Sequence, residues 1–255
     1  MERVFKNFKK YRYLLFELTK KNIKLKYRRS YLGILWTLLE PILTTIVLSI
    51  VFTSLKKKSD STFPVYILTG RLLYSFFAQS TKQAMKSIRR NSGMIKKVYV
   101  PKYIYPISDI LSNYIIFIIS MLVLFGSMLV FKVNPTKYIF NAFIPLILIL
   151  ILCFGMGLIL TTMAVFFRDM EYLWSVVLMM IMYTSAIFYD ASIVSKQWIF
   201  HFNPIYHIIV NFRNCIYGAP LDMKSLMISI GYSLASLIIG IILFYKKQDK
   251  FILNI

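Results

Sequence analysis

Residues 26–54 read KYRRSYLGILWTLLEPILTTIVLSIVFTS, and this stretch decides the fold. A basic lead through Lys26, Arg28 and Arg29 runs into an apolar segment whose one charge is Glu40, followed at once by Pro41. About 20 apolar residues, rising about 1.5 Å each as a helix, cross the ~30 Å hydrocarbon core of a bilayer. Lys and Arg clustered just before such a run mark that end as cytoplasmic. A carboxylate inside a membrane helix is costly, and a proline there removes one backbone hydrogen bond. Glu40 and Pro41 therefore predict a helix that faces protein or water as well as lipid.

The rest of the chain agrees with this reading. Of 255 residues, 58% are hydrophobic, too many for a soluble domain of this length, so the chain reads as an all-α polytopic membrane protein. A formal charge of +21 would suggest nucleic acid in a soluble protein. Here the basic residues are dispersed among membrane boundaries instead. Eleven precede the first span, and seven run from Lys82 at the inner end of the second span to Lys102 before the third. That bias predicts six spans with both termini cytoplasmic and no nucleic-acid partner. Cys153 and Cys215 offer no disulfide framework or metal-ligand spacing. The first 30 residues are charged throughout, so no cleavable signal peptide is expected.

Residues 1–29 form an amphipathic helix, with Val4, Phe8, Tyr11, Leu15, Leu18, Asn22 and Leu25 on one stripe and most lysines off it. Such a helix lies in the inner interface against anionic lipid, or packs on a neighbouring subunit. Predicted spans cover residues 32–54, 65–83, 107–131, 138–167, 173–189 and 226–245. The loop at 55–63 holds three lysines on the outer side, a local exception to the charge rule. Arg71, inside the second span, either snorkels to headgroups or faces the path of an anionic substrate, where its planar fork suits phosphate. Asp109 and Asn113 are expected to cap the start of the third span. The fourth span holds Pro145 and is longer than a bilayer requires, so tilt or kinking is expected to accommodate it, and Gly155 and Gly157 permit close helix contact. At its inner end Arg168, Asp169 and Glu171 are expected to form a local ionic knot. Residues 195–218 hold two short apolar pieces broken at Asn203–Pro204, each too short to span, and these read as outer re-entrant or interfacial helices.

A family resemblance rests on several of these residues. The run SYLGILWTLLEPILTTIVLSIVF, with Gly33, Trp36, Glu40 and Pro41, resembles the first membrane helix of permease subunits of type 2 ABC exporters for polysaccharides. FFRDMEY at residues 166–172, with Arg168 and Asp169, resembles the element that follows their fourth span. The resemblance implies an interface helix at residues 1–29 and a coupling helix at 84–98 that docks on an ATPase subunit through Met85, Ile88, Arg89, Arg90 and Met94. It also implies two short helices at the outer mouth of a channel. Candidate channel or mouth residues are Arg71, Tyr74, Phe77, Tyr183, Phe188, Asn203 and Pro204.

Catalysis within this chain has no support in the sequence. No G-x-x-x-x-G-K-[ST] stretch exists to cradle ATP phosphates, so ATP and Mg belong to a partner ATPase and this chain carries no cofactor. His201, His207 and Arg213 lack the nearby carboxylate or Cys pair that a metal or catalytic site needs. The expectation is a homodimeric permease in the bacterial cytoplasmic (inner) membrane, driven by two ATPase copies and moving a lipid-linked glycan: O-antigen, capsule or teichoic acid. Alternatives are a membrane enzyme on polyprenyl-linked sugars and an exporter of a small lipid or drug.

Overall fold

The computed structural model describes residues 2–28, 30–55, 61–193 and 198–254. Among the described residues all regular structure is helical. The chain opens with α1 (Glu2–Tyr27). A turn at Gly33, whose φ is +50°, leads through a short 3-10 segment into α2 (Trp36–Leu55). Glycine takes that left-handed backbone without the Cβ penalty, which gives the Tyr-Leu-Gly motif a structural reason.

Then come α3 (Phe63–Arg90), α4 (Ser92–Ile95) and α5 (Ile104–Val130). They are followed by α6 (Phe143–Phe166), α7 (Met170–Tyr183), α8 (Trp198–His201), α9 (Pro204–Ile216) and α10 (Met223–Lys247). Among the described residues, four stretches are long and apolar enough to cross a membrane: Gly33–Thr53, Ile104–Val130, Lys137–Phe166 and Met223–Ile252.

Two of the six expected spans take a different form. Helix α3 is 28 residues long, about 42 Å, so it outreaches the bilayer core, but its polar residues set it apart from the four. It is the axis of the fold. Its neighbours α2, α5, α6, α7 and α9 surround it, and Val65, Ile67, Leu73, Ala84 and Ile88 have no accessible surface. Helix α7 is 14 residues, about 21 Å, shorter than the span expected over 173–189. The chain leaves it at Thr184 for an irregular loop carrying Ala186 at φ +48°.

The expected coupling helix over 84–98 is likewise not a separate element. Nothing after Gln83 breaks a helix until Asn91, so α3 runs on to Arg90 and the four-residue α4 follows. Pro145 falls in the first turn of α6, where no hydrogen bond is lost, and needs no kink.

Packing is tightest between α6 and α10. A Cβ on Gly240 would meet the Gly155 carbonyl oxygen at 2.5 Å, and one on Gly155 would meet the backbone of Ser236 and Leu237 at 2.4 Å. Two glycines facing each other let these backbones touch, as the small-residue reading expects. Gly157 sits instead against the side chains of Ile110 and Ala84.

A second apolar cluster closes the end that carries α4: Leu15, Leu18, Ile88, Tyr105, Phe244 and Phe251 pack together there. The segment after α10 is thus partly folded in, with Phe251 fully buried and Lys102 Nζ donating to the Gln248 carbonyl at 2.6 Å. By contrast only 11% of the apolar window of α2 is buried within the chain. An apolar helix with so little cover needs lipid or another chain around it.

Candidate functional site

Helix α3 carries polar side chains at every fourth position, Arg71, Ser75, Gln79 and Gln83, which puts them on one stripe. That stripe faces α2 and α5. The helix entry to α2 is anchored there by an exchange of partners. Pro41 has no N–H, so the Thr37 carbonyl loses its intrahelical donor, and Ser120 of α5 donates to it at 3.0 Å while sharing its proton with Ile116.

Between these helices lies a half-open pocket of about 60 Å³. Glu40 and Thr44 reach it from α2, Arg71 and Gln79 from α3, Asn113 from α5 and Lys26 from the end of α1. Arg71 Nε donates to Thr44 Oγ1 at 3.2 Å, and Lys26 Nζ donates to Gln79 Oε1 at 3.0 Å. Asn113 donates to Gln83 Oε1 at 2.9 Å, and its own Oδ1 is buried without a partner. Lost solvation lowers the pKa of Lys26 from the usual ammonium value, and Glu40 opposes that shift. The same two influences both act upward on the Tyr27 phenol, pushing it up to about 12.

Arg71 and Glu40, both singled out in the sequence, are therefore brought together. Lys26, Gln79 and Asn113 were missed as members of this site, although the four-residue polar spacing along α3 was a readable signal.

Next to the pocket, Asp109 is completely buried. Its Oδ1 accepts from Arg90 at the end of α3 at 2.5 Å and from Asn22 of α1 at 2.8 Å. The expected capping role is replaced by this cross-link, because α5 begins at Ile104 and places Asp109 in its second turn. Asn113 is a turn further in and donates to the Asp109 carbonyl.

The proposed ATPase-docking set divides by burial. Met85 and Ile88 are 2% and 0% exposed and pack in the two cores, so they offer nothing to a partner. Arg90 is held by Asp109, and Arg89 is half-buried. Met94 is exposed, beside Lys97, Val98 and Tyr99, the last 90% exposed.

The channel candidates scatter as well. Tyr74 donates to the Leu178 carbonyl at 2.9 Å, tying α3 to α7, and Phe77 is buried against Trp174. Phe188 is buried and stacks on Phe52 of α2, whereas Tyr183 is exposed. Asn203 is a cap and staple: its Oδ1 accepts from Ile205 N at 3.0 Å, and its Nδ2 donates to Ile181 O, Thr184 Oγ1 and Ser185 Oγ. Pro204 opens α9, where its missing N–H costs nothing. The ionic knot over Arg168–Glu171 does not form among the described residues: Glu171 pairs with Lys86 of α3 at 2.7 Å, and Arg168 and Asp169 are exposed.

Arg213, from α9, is buried and held on several sides. Its guanidinium donates to the carbonyls of Ala186, Tyr66 and Ile187 at 3.0 to 3.2 Å and lies 3.5 Å from the centroid of the Tyr66 ring. His207 faces Ser225 at 3.2 Å, and no group of three metal-ligand side chains occurs among the described residues. Asp222 caps α10, and its hydrogen bond from Ser225 holds its carboxyl below the usual carboxylate range.

The chain is similar along most of its length to known membrane proteins. It is 26% identical over 243 residues to the O-antigen export system permease protein RfbA of Klebsiella pneumoniae, covering 93% of both chains. It is 25% identical to the protein of that name from Myxococcus xanthus, covering 98% of both. To the polysialic acid transport protein KpsM of Escherichia coli it is 24% identical, over 90% of this chain and 91% of that one. The family model described as ABC-2 type transporter matches residues 13–217, and a match over that much of the chain makes it a member of the ABC-2 type transporter membrane family.

Proposed function

We infer that this chain is the permease subunit of an ATP-driven exporter of a polysaccharide, inserted as a multi-pass protein in the bacterial inner membrane. The observation that carries this is the end-to-end correspondence with export permeases together with family membership. ATP hydrolysis belongs to a separate ATPase subunit. The reading of the chain as a membrane enzyme is set aside, because the relatives are transport and export proteins.

The finer mechanism is built from the geometry. Six crossings result if α3 and α7 traverse the membrane beside the four apolar helices, α3 sheltered by its neighbours and α7 completed by the loop after it. Helices α8 and α9 are then re-entrant at the outer face, and both termini are cytoplasmic. The thinly covered α2 faces a second copy across a channel. Two ATPase copies bind the exposed tip around Met94, Lys97, Val98 and Tyr99. Their closure pushes α4 and the end of α3, and the Arg90–Asp109–Asn22 link passes that displacement to α5 and α1. The cargo is a lipid-linked glycan of the O-antigen, capsule or teichoic acid class.

The test is co-purification. Expressed with candidate ATPases, this chain should yield a complex that hydrolyses ATP in a lipid bilayer and contains two copies of each subunit. A well-folded chain that binds no nucleotide-hydrolysing partner would overturn the exporter reading.

A further inference from the structure

The charges of the pocket do not cancel. Lys26 and Arg71 share it with one carboxylate, Glu40, and neither cation forms an ion pair with that carboxylate among the described residues. Arg71 uses Nε on Thr44, while its terminal nitrogens donate to no described residue. One positive charge is therefore left over, and it falls to the free terminal nitrogens of Arg71, which is partly buried, while Lys26 and Glu40 are exposed. Asn113, 3% exposed, adds a buried oxygen without a donor. A volume of about 60 Å³ holds a few waters or one tetrahedral oxyanion.

We propose that this pocket is a seat for one singly charged phosphate ester, the phosphate that joins lipid to glycan in the exported substrate. Its oxygens take the terminal N–H groups of Arg71 on one side and Lys26 Nζ on the other, the charge-assisted geometry that guanidinium and phosphate share. Glu40 sets the selectivity. With Glu40 ionised a monoanion brings the pocket to neutrality, and a bridging water can donate to Asn113 Oδ1. The arrangement explains why an arginine is kept on a helix surrounded by protein, and why a glutamate stands beside it.

The assignment to substrate rests on the export reading above, whereas phosphate recognition does not; phosphate esters are also supplied by ordinary membrane phospholipid. The full-length chain in detergent, without ATPase or nucleotide, is titrated with polyprenyl-phosphoryl-glucose and with polyprenyl glucoside, which lacks the phosphate. The diester should bind at least about tenfold more tightly. Arg71→Gln should abolish that preference, Arg71→Lys should keep part of it, and Glu40→Gln should increase it. Opposite signs for the two substitutions cannot arise from a merely structural role. If Arg71→Gln fails to fold, judged by its melting curve, Arg71→Lys and Glu40→Gln carry the test. Equal binding of the two glycolipids would overturn the seat, and displacement of the diester by equimolar dihexanoyl-phosphatidylglycerol would overturn the substrate assignment in favour of bulk lipid. Failure to bind an ATPase would sink the export reading and leave these titrations unchanged.

Discussion

Gly70 of α3 lies flat against Arg213 of α9: a Cβ at Gly70 would come within 2.8 Å of Arg213 Nη2. The glycine makes room for a buried guanidinium that satisfies three carbonyls and so fixes the loop after α7 onto α3. Gly70→Val should displace the guanidinium and cost about 2–3 kcal/mol of stability, as for breaking buried hydrogen bonds to a charged group. Arg213→Met should cost a similar amount, and the double variant little more than either single, because both remove one arrangement. Melting of the purified chain in detergent reads this, and additive losses would show that the two residues act apart.

The exchange at Pro41 gives a signed prediction. Ser120→Ala leaves the Thr37 carbonyl unpartnered and should cost about 1–2 kcal/mol. Pro41→Ala returns an N–H to that carbonyl, so in its presence Ser120→Ala should become nearly neutral. A double-mutant cycle on thermal stability measures the coupling, and a coupling near zero would mean that the serine is not the substitute donor.

These two contacts also mark how far the sequence could be read. The all-helical membrane fold, the close packing around Gly155 and Gly157, and the break at Asn203–Pro204 follow from local patterns of apolar length, small residues and turn chemistry. Met85 and Ile88 were misread because a short basic amphipathic stretch has two faces, and nothing local says which one meets the rest of the chain. Their burial is decided by α1, α5 and α6, far away in sequence. Asp109 was misread for a related reason: its partners Asn22 and Arg90 lie 87 and 19 residues away, so a capping role was the nearest explanation in sequence. The pocket was half legible. Arg71 and Glu40 stood out as costly charges in apolar runs, while the helix-to-helix register that joins them is a tertiary property.

The crossing of α6 and α10 should tolerate nothing larger than glycine. Gly240→Ala places a methyl group against the Gly155 carbonyl, a backbone atom that cannot swing aside. Overpacking of this kind costs about 1–3 kcal/mol. Gly240→Leu should prevent the folded chain from accumulating in the membrane at all. Gly231 on the same helix has open space around a Cβ, so Gly231→Ala should leave the yield of folded protein unchanged and serves as the matched control.

Coupling to an ATPase should depend on the exposed tip and not on the buried face behind it. Tyr99 and Met94 stand out from the bundle, so Tyr99→Asp with Met94→Asp removes apolar contact from any docked partner without disturbing a core. The double variant should insert and melt like the parent, yet lose most of the ATPase co-purification and the export that depends on it. Met85→Asp and Ile88→Asp should behave in the opposite way. Each places a carboxylate in an apolar core with no cation aimed at it, a change worth several kcal/mol, and the chain should fail to fold before any question of coupling arises. Comparing the four residues separates docking from stability, because only docking residues lose the partner at unchanged melting temperature. Normal partner binding by the Tyr99→Asp/Met94→Asp chain would move the docking surface away from this tip.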